Sequence, residues 1–126
     1  MREPISEHDK LEVLGKKYLE GLKTANIEML KEVFHEKACI YGKLNENDKN
    51  SDPIKSLFDA VEKAGKCGDD FSGRVDILSL EKDIAVLKIM EENWHGINFT
   101  DYFTCWKEKD EWKIVTKAYT PVQIKK

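Results

Sequence analysis

The sequence has 126 residues, of which 40% are hydrophobic and 36% charged, and this composition suits a single globular domain over residues 1–126. Its formal charge of −3 comes from interspersed charges of both signs, so no basic face for nucleic acid is expected. The N-terminus has no apolar leader segment, and no later apolar run approaches membrane-spanning length. We therefore predict a cytoplasmic protein that contacts neither nucleic acid nor membrane.

The cysteines and histidines give no sign of a cofactor. Cys39, Cys67 and Cys105 are far apart and form no CxxC pair, so three reduced thiols are expected rather than a disulfide or a zinc site. No His/Asp/Glu set has metal-ligand spacing, and no phosphate-binding or nucleophile motif is present. The prediction is a protein with no metal and no cofactor.

Apolar residues at helical spacing predict two helices at the start of the chain. The first is expected from about Ser6 to Lys23, with Ser6 to Asp9 resembling a capping box. Asn26 is predicted to cap a short second helix that carries Phe34 inward at its end. The inward stripe of the first helix consists of Leu11, Leu14, Tyr18 and Leu22.

The middle of the chain is predicted to hold a short strand and a third helix. The strand is Ala38 to Gly42, and a polar loop from Asn45 to Asp52 follows it. Asp52-Pro53 is typical of a helix start, so the third helix is expected from there to about Gly65. Its inward residues would be Ile54, Leu57, Phe58 and Val61.

The last half of the chain predicts a sheet. Short connections between its strands favour antiparallel neighbours, and the order of helices first and strands later indicates the α+β class. Three helices can cover only one face of such a sheet, so Tyr102 and Trp106 are expected on the other face, where we predict a homodimer contact. The predicted strands are Gly73 to Leu80, Ile84 to Glu92, Ile97 to Lys107 and Trp112 to Thr120.

Asp101 is the most informative polar residue of these strands. It alternates with Phe99 and Phe103, so the three side chains are expected on one face. A carboxylate on an apolar face is costly unless it is paired, protonated or hydrated. Asp101 is therefore either a cavity residue with a raised pKa or a structural aspartate that faces solvent or is hydrogen-bonded.

Four strings stand in order along the chain: Tyr18 to Thr24, Leu30 to Ala38, Thr100 to Phe103, and Trp112 to Tyr119. Together they resemble the NTF2-like superfamily, and within it the putative lumazine-binding family, which is similar to the SnoaL-like group. The resemblance implies a cystatin-like cone, in which a curved antiparallel sheet wraps around N-terminal helices and encloses a pocket. It does not imply one activity, because the superfamily holds enzymes, ligand carriers and assembly modules.

The resemblance extends to the ketosteroid isomerases of that superfamily, whose oxyanion hole is formed by a tyrosine and a neutral aspartic acid. Tyr18 and Asp101 occupy the corresponding positions. The family's general base would fall near Tyr41-Gly42, where neither residue can abstract a proton from carbon. No isomerase activity is assigned on this basis.

The predicted ligand site combines two polar anchors, Tyr18 and Asp101, with an aromatic lining, although aromatic residues at such spacings also form plain core. Lys117 is expected to extend towards water; the alternatives are a pair with Asp101 or contact with an acidic ligand. The predicted lining is Tyr41, Phe58, Phe99 and Phe103.

Three functions follow as hypotheses. The first is a module that binds a small, partly apolar ligand. The second is an enzyme of the SnoaL or isomerase type, whose base would come from water, His35 or the substrate. The third is a homo-oligomeric assembly module that uses the exposed sheet face.

Overall fold

The computed structural model describes residues 5–42 and 51–123, with the backbone alone for residues 51–53. Three helices and six strands form in these ranges. The helices are α1 (Ile5–Thr24), α2 (Ile27–Val33) and α3 (Lys55–Ala64), and the strands are β1 (Phe34–Tyr41), β2 (Ser51–Pro53), β3 (Ser72–Glu81), β4 (Ile84–Trp94), β5 (Ile97–Glu108) and β6 (Glu111–Val122).

The strands form one curved, unclosed sheet in the order β2-β1-β6-β5-β4-β3. Four of the five neighbouring pairs are antiparallel, as the short connections predict, and β1 runs parallel to β6. The helices precede the long strands and pack on one side, here called the inner face, so the predicted α+β class is confirmed.

Helix α1 lies close against the inner face because small residues stand where the backbones approach. A Cβ atom on Gly15 would be 2.7 Å from a Val75 methyl carbon, and one on Gly73 would be 2.4 Å from a Leu19 methyl carbon. Both distances are shorter than real Cβ contacts, so a side chain at either position would force its neighbour to shift. The predicted stripe of Leu11, Leu14, Tyr18 and Leu22 is buried beneath α1.

Several predicted element boundaries are wrong. Phe34 begins β1 rather than ending α2, with an extended backbone (φ −96°, ψ 142°), because its ring packs in the core and its strand pairs with β6. Asp52 pairs with Ile40 in β2 and does not cap α3, which starts at Lys55. Ser6 lies inside α1, whereas the predicted cap Asn26 is confirmed, since its side chain accepts from the Met29 N–H at 3.1 Å. Residues 45–50 of the predicted loop lie outside the described ranges.

Register shifts in two strands decide which side chains face inward. One extra residue of β4 falls between the pairs Glu91–Phe99 and Trp94–Ile97, and Val115 is the extra residue of β6. Each bulge adds one residue to the strand, so two side chains that are three residues apart across the bulge lie on the same face of the sheet. Glu91 and Trp94 therefore share the inner face, and so do Ile114 and Lys117.

Candidate functional site

Four polar side chains meet in the middle of the inner face, among otherwise apolar residues. They are Tyr18 of α1, Glu91 of β4, Asp101 of β5 and Lys117 of β6, here called the inner-face cluster. Their exposed fractions are 0%, 2%, 1% and 6%. Asp101 thus points inward, as its alternation with Phe99 and Phe103 predicts.

Tyr18 connects the charged groups of the cluster. Its hydroxyl donates to Asp101 Oδ2 at 3.2 Å, and its oxygen accepts from Lys117 Nζ at 2.9 Å. The Lys117 ammonium also lies 5.4 Å from the ring centre of Tyr18 and 5.2 Å from that of Tyr119, within cation–π range. The expectation that Lys117 extends towards water is therefore wrong, because the β6 bulge turns it inward.

The sheet register brings the three strand residues together. Asp101 stands opposite Ile89 of β4 and opposite Tyr119 of β6. Glu91 and Lys117 are each two residues along from those partners, which makes them diagonal neighbours of Asp101 on one face. Three adjacent strands thus contribute one ionisable side chain each, and α1 supplies the hydroxyl that joins them.

Burial and nearby charges shift the pKa values of Glu91 and Tyr18. Burial, reinforced by a hydrogen bond with Asp101 and by its charge, raises the pKa of Glu91 well above its ordinary value, while Lys117 opposes the shift. Burial, followed by the negative charges of Asp101 and Glu91, likewise raises the pKa of the Tyr18 hydroxyl. One protonated carboxyl, one carboxylate and one ammonium make the cluster neutral, which is the least costly charge state in a buried site.

Three buried polar atoms around the cluster have no hydrogen-bond partner among the described residues. They are Glu91 Oε2, Asp101 Oδ1 and Trp94 Nε1. Asp101 Oδ1 is an acceptor and Trp94 Nε1 is a donor, whereas the Glu91 atom belongs to a carboxyl that can donate when it carries its proton. Since unpaired buried polar atoms are costly, their concentration on one stretch of sheet marks this stretch as a candidate ligand contact.

Aromatic rings form two groups on either side of Asp101. Phe103 contacts Tyr18 and Phe34, with ring centres 4.8 and 6.0 Å apart, and Phe34 contacts Phe58 at 6.2 Å. On the other side, Phe99 contacts Trp94 and Tyr119, at 5.9 and 5.8 Å. Tyr18, Phe34 and Phe103 belong to the contiguous core, and Phe99 is buried outside it. The partly buried rings of Phe58, Trp94 and Tyr119 pack against that core.

The predicted lining residue Tyr41 does not lie near the cluster. It pairs with Ala118, whose partner in β5 is Tyr102, and cross-strand partners share a face. Tyr41 is 47% exposed on the outer face of the sheet, because it immediately follows the inward Ile40. Its predicted place inside the cone is wrong. Ligand contact by Tyr18, Phe58, Phe99, Asp101 and Phe103 stays a prediction.

Two site residues were missed from the sequence, Glu91 and Trp94. Glu91 continues the inward alternation of Ala85, Leu87 and Ile89, which is the same signal that identified Asp101. Trp94 gives no such signal, because its inward direction depends on the extra residue of β4.

A separate groove in the described part of the chain contains none of the predicted site residues. A groove of about 390 Å³ lies between α1, α2 and the β5–β6 turn, with Val13, Leu14 and Trp112 among its apolar lining. Within residues 5–42 and 51–123 no group of three His, Cys, Asp or Glu side chains could hold a metal ion. Of the helices described, none is both long and apolar enough to cross a membrane.

Comparisons with known proteins agree with the fold. Structures similar to this chain include an NTF2-like protein of Shewanella baltica, 24% identical with a TM-score of 0.87, which covers 98% of this chain and 100% of its own. Another NTF2-like protein, from Methylobacillus flagellatus, is 23% identical with a TM-score of 0.89 and 97% coverage of both chains. A cystatin-like fold protein of Burkholderia xenovorans is 15% identical with a TM-score of 0.70, and covers 93% and 92%.

Among curated proteins, the aldolase FrzH of a Cladobotryum species is 26% identical over 115 residues, which make up 90% of each chain. The family model described as putative lumazine-binding matches residues 6–120. These residues include all of the inner-face cluster. The chain therefore has an NTF2-like fold and belongs to the putative lumazine-binding family.

Proposed function

We propose that this protein binds a small, partly apolar molecule at the inner-face cluster. The observation that carries the proposal is a buried set of ionisable side chains with unpaired polar atoms, bordered by aromatic rings. Ligand sites typically combine apolar walls with a few convergent polar groups. The ligand would lie on the Trp94, Phe99 and Tyr119 side of Asp101, because on the other side Phe34 and Phe103 belong to the contiguous core and Phe58 packs against Phe34.

Binding can be tested by NMR titration with an aromatic probe such as toluene. Shifts at Asp101, Phe99 and Tyr119 are expected, and Phe99→Ala should change the affinity. Val13→Ala serves as the matched control, because Val13 is 64% exposed on α1 and lies in the separate groove. Shifts confined to that groove would contradict the proposed location.

Glu91 favours a second candidate function, an enzyme that exchanges the proton on a carbon next to a carbonyl group. Neither Tyr41 nor Gly42 can accept a proton from carbon. The general base would instead be the carboxylate of Glu91 on β4 or of Asp101 on β5. One carboxylate of the Glu91–Asp101 pair takes the proton, and the C–H electron pair moves through the carbon skeleton to the carbonyl oxygen. The protonated partner carboxyl donates to that oxygen, so the charge stays balanced. The similarity to a protein named as an aldolase agrees with chemistry at a carbonyl compound.

Proton exchange can be measured directly with cyclohexanone in D₂O, by following loss of its α-proton signal. The unmodified protein should exceed buffer, and Glu91→Gln should lower its rate about a hundredfold, the range of one general acid–base group. Glu92→Gln, the exposed neighbour on the opposite face, should have no effect. Equal rates for the unmodified protein and Glu91→Gln would exclude this candidate.

The outer face of the sheet supports a third proposal, a homodimer. Exposed apolar side chains from neighbouring strands lie together there, in contrast to the charged helix surfaces. Trp106 stands opposite Ile84 in the sheet, and Tyr102 and Tyr41 flank Ala118. The exposed fractions of Tyr41, Ile84, Tyr102 and Trp106 are 47%, 56%, 46% and 38%.

A further inference from the structure

Lys117 is the one buried lysine among the residues that the structure describes. Its exposed fraction is 6%, whereas the other lysines in those ranges are exposed or half-buried. Its Nζ atom makes no salt bridge with a described carboxylate, and contacts instead the Tyr18 hydroxyl and the faces of two aromatic rings. A lysine that served only to balance buried charge would be expected to contact a carboxylate directly, so this arrangement favours a chemical role.

Tyr18 links the lysine to a proton acceptor. Lys117 Nζ donates to the Tyr18 oxygen at 2.9 Å, and the Tyr18 hydroxyl donates to Asp101 Oδ2 at 3.2 Å. When each hydrogen moves across its own hydrogen bond, the ammonium becomes a neutral amine and the Asp101 carboxylate becomes a carboxylic acid. The net charge of the inner-face cluster does not change, which keeps the transfer inexpensive in a buried site. The neutral amine then has the lone pair that a nucleophile needs.

The amine borders the side of Asp101 on which the ligand is proposed to lie. Lys117 Nζ is 5.2 Å from the ring centre of Tyr119, whose ring centre is 5.8 Å from that of Phe99. The β6 bulge turns Lys117 to the inner face, whereas unbroken alternation from Ile114 would turn it outward. A carbonyl compound held by these rings would therefore lie beside the amine.

We propose that Lys117 is a nucleophile that forms a reversible imine with a small aldehyde or ketone. The Nζ lone pair forms the C–N bond, and the carbonyl π electrons move to the oxygen, which takes a proton from Asp101. The nitrogen returns one proton through Tyr18 and Asp101 to the new hydroxyl group, which leaves as water while the nitrogen lone pair completes the C=N bond. Ammonium and carbonyl compound thus give an iminium ion and one water, and Asp101 is a carboxylate again.

This activity goes beyond binding and gives Lys117 a role that proton exchange by the Glu91–Asp101 pair does not require. An iminium ion withdraws electrons from the neighbouring carbon more strongly than a carbonyl group does, so a carboxylate removes the proton on that carbon more readily. The inference rests on the proposed binding function only for the place of the carbonyl compound.

Reduction converts the imine to a stable amine and so reports its formation without a turnover assay. The full chain is incubated with acetone and sodium cyanoborohydride near neutral pH, and peptide mass spectrometry follows each lysine as it becomes N-isopropyl-lysine. Lys117 should react about a hundredfold faster than Lys88, which stands opposite Tyr102 on the outer face, because one positioned acid–base relay contributes at least this much. In concentrated urea the two lysines should react at similar rates, since the relay exists only in the folded protein.

Variants separate the nucleophile from the relay. Tyr18→Phe keeps the ring but removes the hydroxyl, so trapping at Lys117 should slow about a hundredfold while the toluene shift at Phe99 is retained. Lys117→Arg keeps the positive charge and should abolish the fast reaction, because a guanidinium group does not form an imine. Lys88→Arg is the matched control and should leave the rate at Lys117 unchanged.

The outcomes distinguish the inference from the binding function. If Lys117 is trapped no faster than Lys88 while toluene shifts inner-face resonances, the covalent step is wrong and the binding function stands. If trapping at Lys117 is fast but Tyr18→Phe does not slow it, the relay through Tyr18 is overturned. If acetone is not trapped at Lys117 and toluene shifts no inner-face resonance, the binding function fails together with the inference.

Discussion

Glu91 and Asp101 lie side by side in a buried site that contains one lysine, so the two carboxyls cannot both ionise without excess charge. Glu91 is the group whose pKa is raised, mainly by burial and then by its contacts with Asp101. A carboxyl that keeps its proton in the folded state, but ionises at its ordinary pKa when unfolded, makes the folded state less stable as pH rises. The buried Glu91 carboxyl therefore lowers the free energy of unfolding as pH rises, and it holds a proton that it can donate in a reaction.

The first prediction concerns the stability that the folded protein loses as pH rises because Glu91 keeps its proton. Glu91→Gln replaces the protonated carboxyl by a neutral amide of similar shape, so the variant should gain stability relative to the unmodified protein as pH rises above 4.5, the ordinary pKa of glutamate. Urea unfolding at several pH values would measure the difference. Glu92→Gln, exposed on the opposite face, should give a difference that varies little with pH. A stability difference for Glu91→Gln that is independent of pH would contradict a raised Glu91 pKa.

The second prediction tests whether the two carboxyls substitute for each other. Asp101→Asn removes one carboxyl beside Lys117, and Glu91 can then ionise in its place, so the single variant should be only moderately destabilised. The double variant with Glu91→Gln leaves the Lys117 ammonium without a carboxylate, which costs about 3–5 kcal/mol for a buried charge. Unfolding free energies of both single variants and the double variant form a thermodynamic cycle. Additive effects would show that the carboxyls do not share the lysine.

At the scale of elements, β4 and β6 show why part of the site could be predicted and part could not. The alternation of β5 correctly predicts Asp101 as inward, because β5 carries no extra residue at that point. The same alternation in β4 also predicts that Glu91 faces inward. The inward directions of Trp94 and Lys117 cannot be predicted in this way, because each follows a bulge. A bulge leaves no clear pattern in hydrophobic periodicity, so one extra residue reverses the predicted direction of every later side chain.

The start of α1 is attached to the far end of the sheet by a second buried acidic residue. Glu7 is 7% exposed and accepts from Trp112 Nε1 at 2.8 Å, Lys10 Nζ at 3.2 Å and Lys107 Nζ at 3.3 Å. The hydrogen bond from Trp112, followed by those of the two lysines, lowers the pKa of Glu7 despite its burial. The contact fixes α1 across the inner face, and with it the position of Tyr18.

The third prediction follows from that attachment. A lowered folded pKa gives stability that is present above the ordinary value of 4.5 and is lost as pH falls through the folded pKa. Glu7→Gln should therefore cost about 1–3 kcal/mol near neutral pH, with a smaller difference in acid. Glu12→Gln on the same helix breaks only an exposed pair with Lys16 and should cost about 0–0.5 kcal/mol. Equal costs for both variants in urea unfolding would contradict a structural role for Glu7.

At the scale of the whole molecule, the sequence predicts the fold better than the site. Helical spacing and short strand connections specify which elements form and which face the helices cover, because those patterns recur over many residues. Tyr41 shows the limit: one step along β1 separates the inward Ile40 from the outward Tyr41. A resemblance that aligns Tyr41 with a catalytic position cannot establish its direction, since strand direction alternates residue by residue.

The fourth prediction concerns assembly through the outer face. A stable dimer needs about 800 Å² from each partner, and the apolar side chains around Trp106 and Tyr102 offer a starting area for such a contact. Trp106→Glu places a charge within that area, opposite Ile84, and should convert a dimer to monomers because the charge would be buried unpaired. Light scattering at matched concentrations measures the change. Val13→Glu, which introduces the same charge at an exposed apolar residue of α1, should leave the dimer intact. A monomeric unmodified protein, or dissociation by both variants, would rule out this face as the contact.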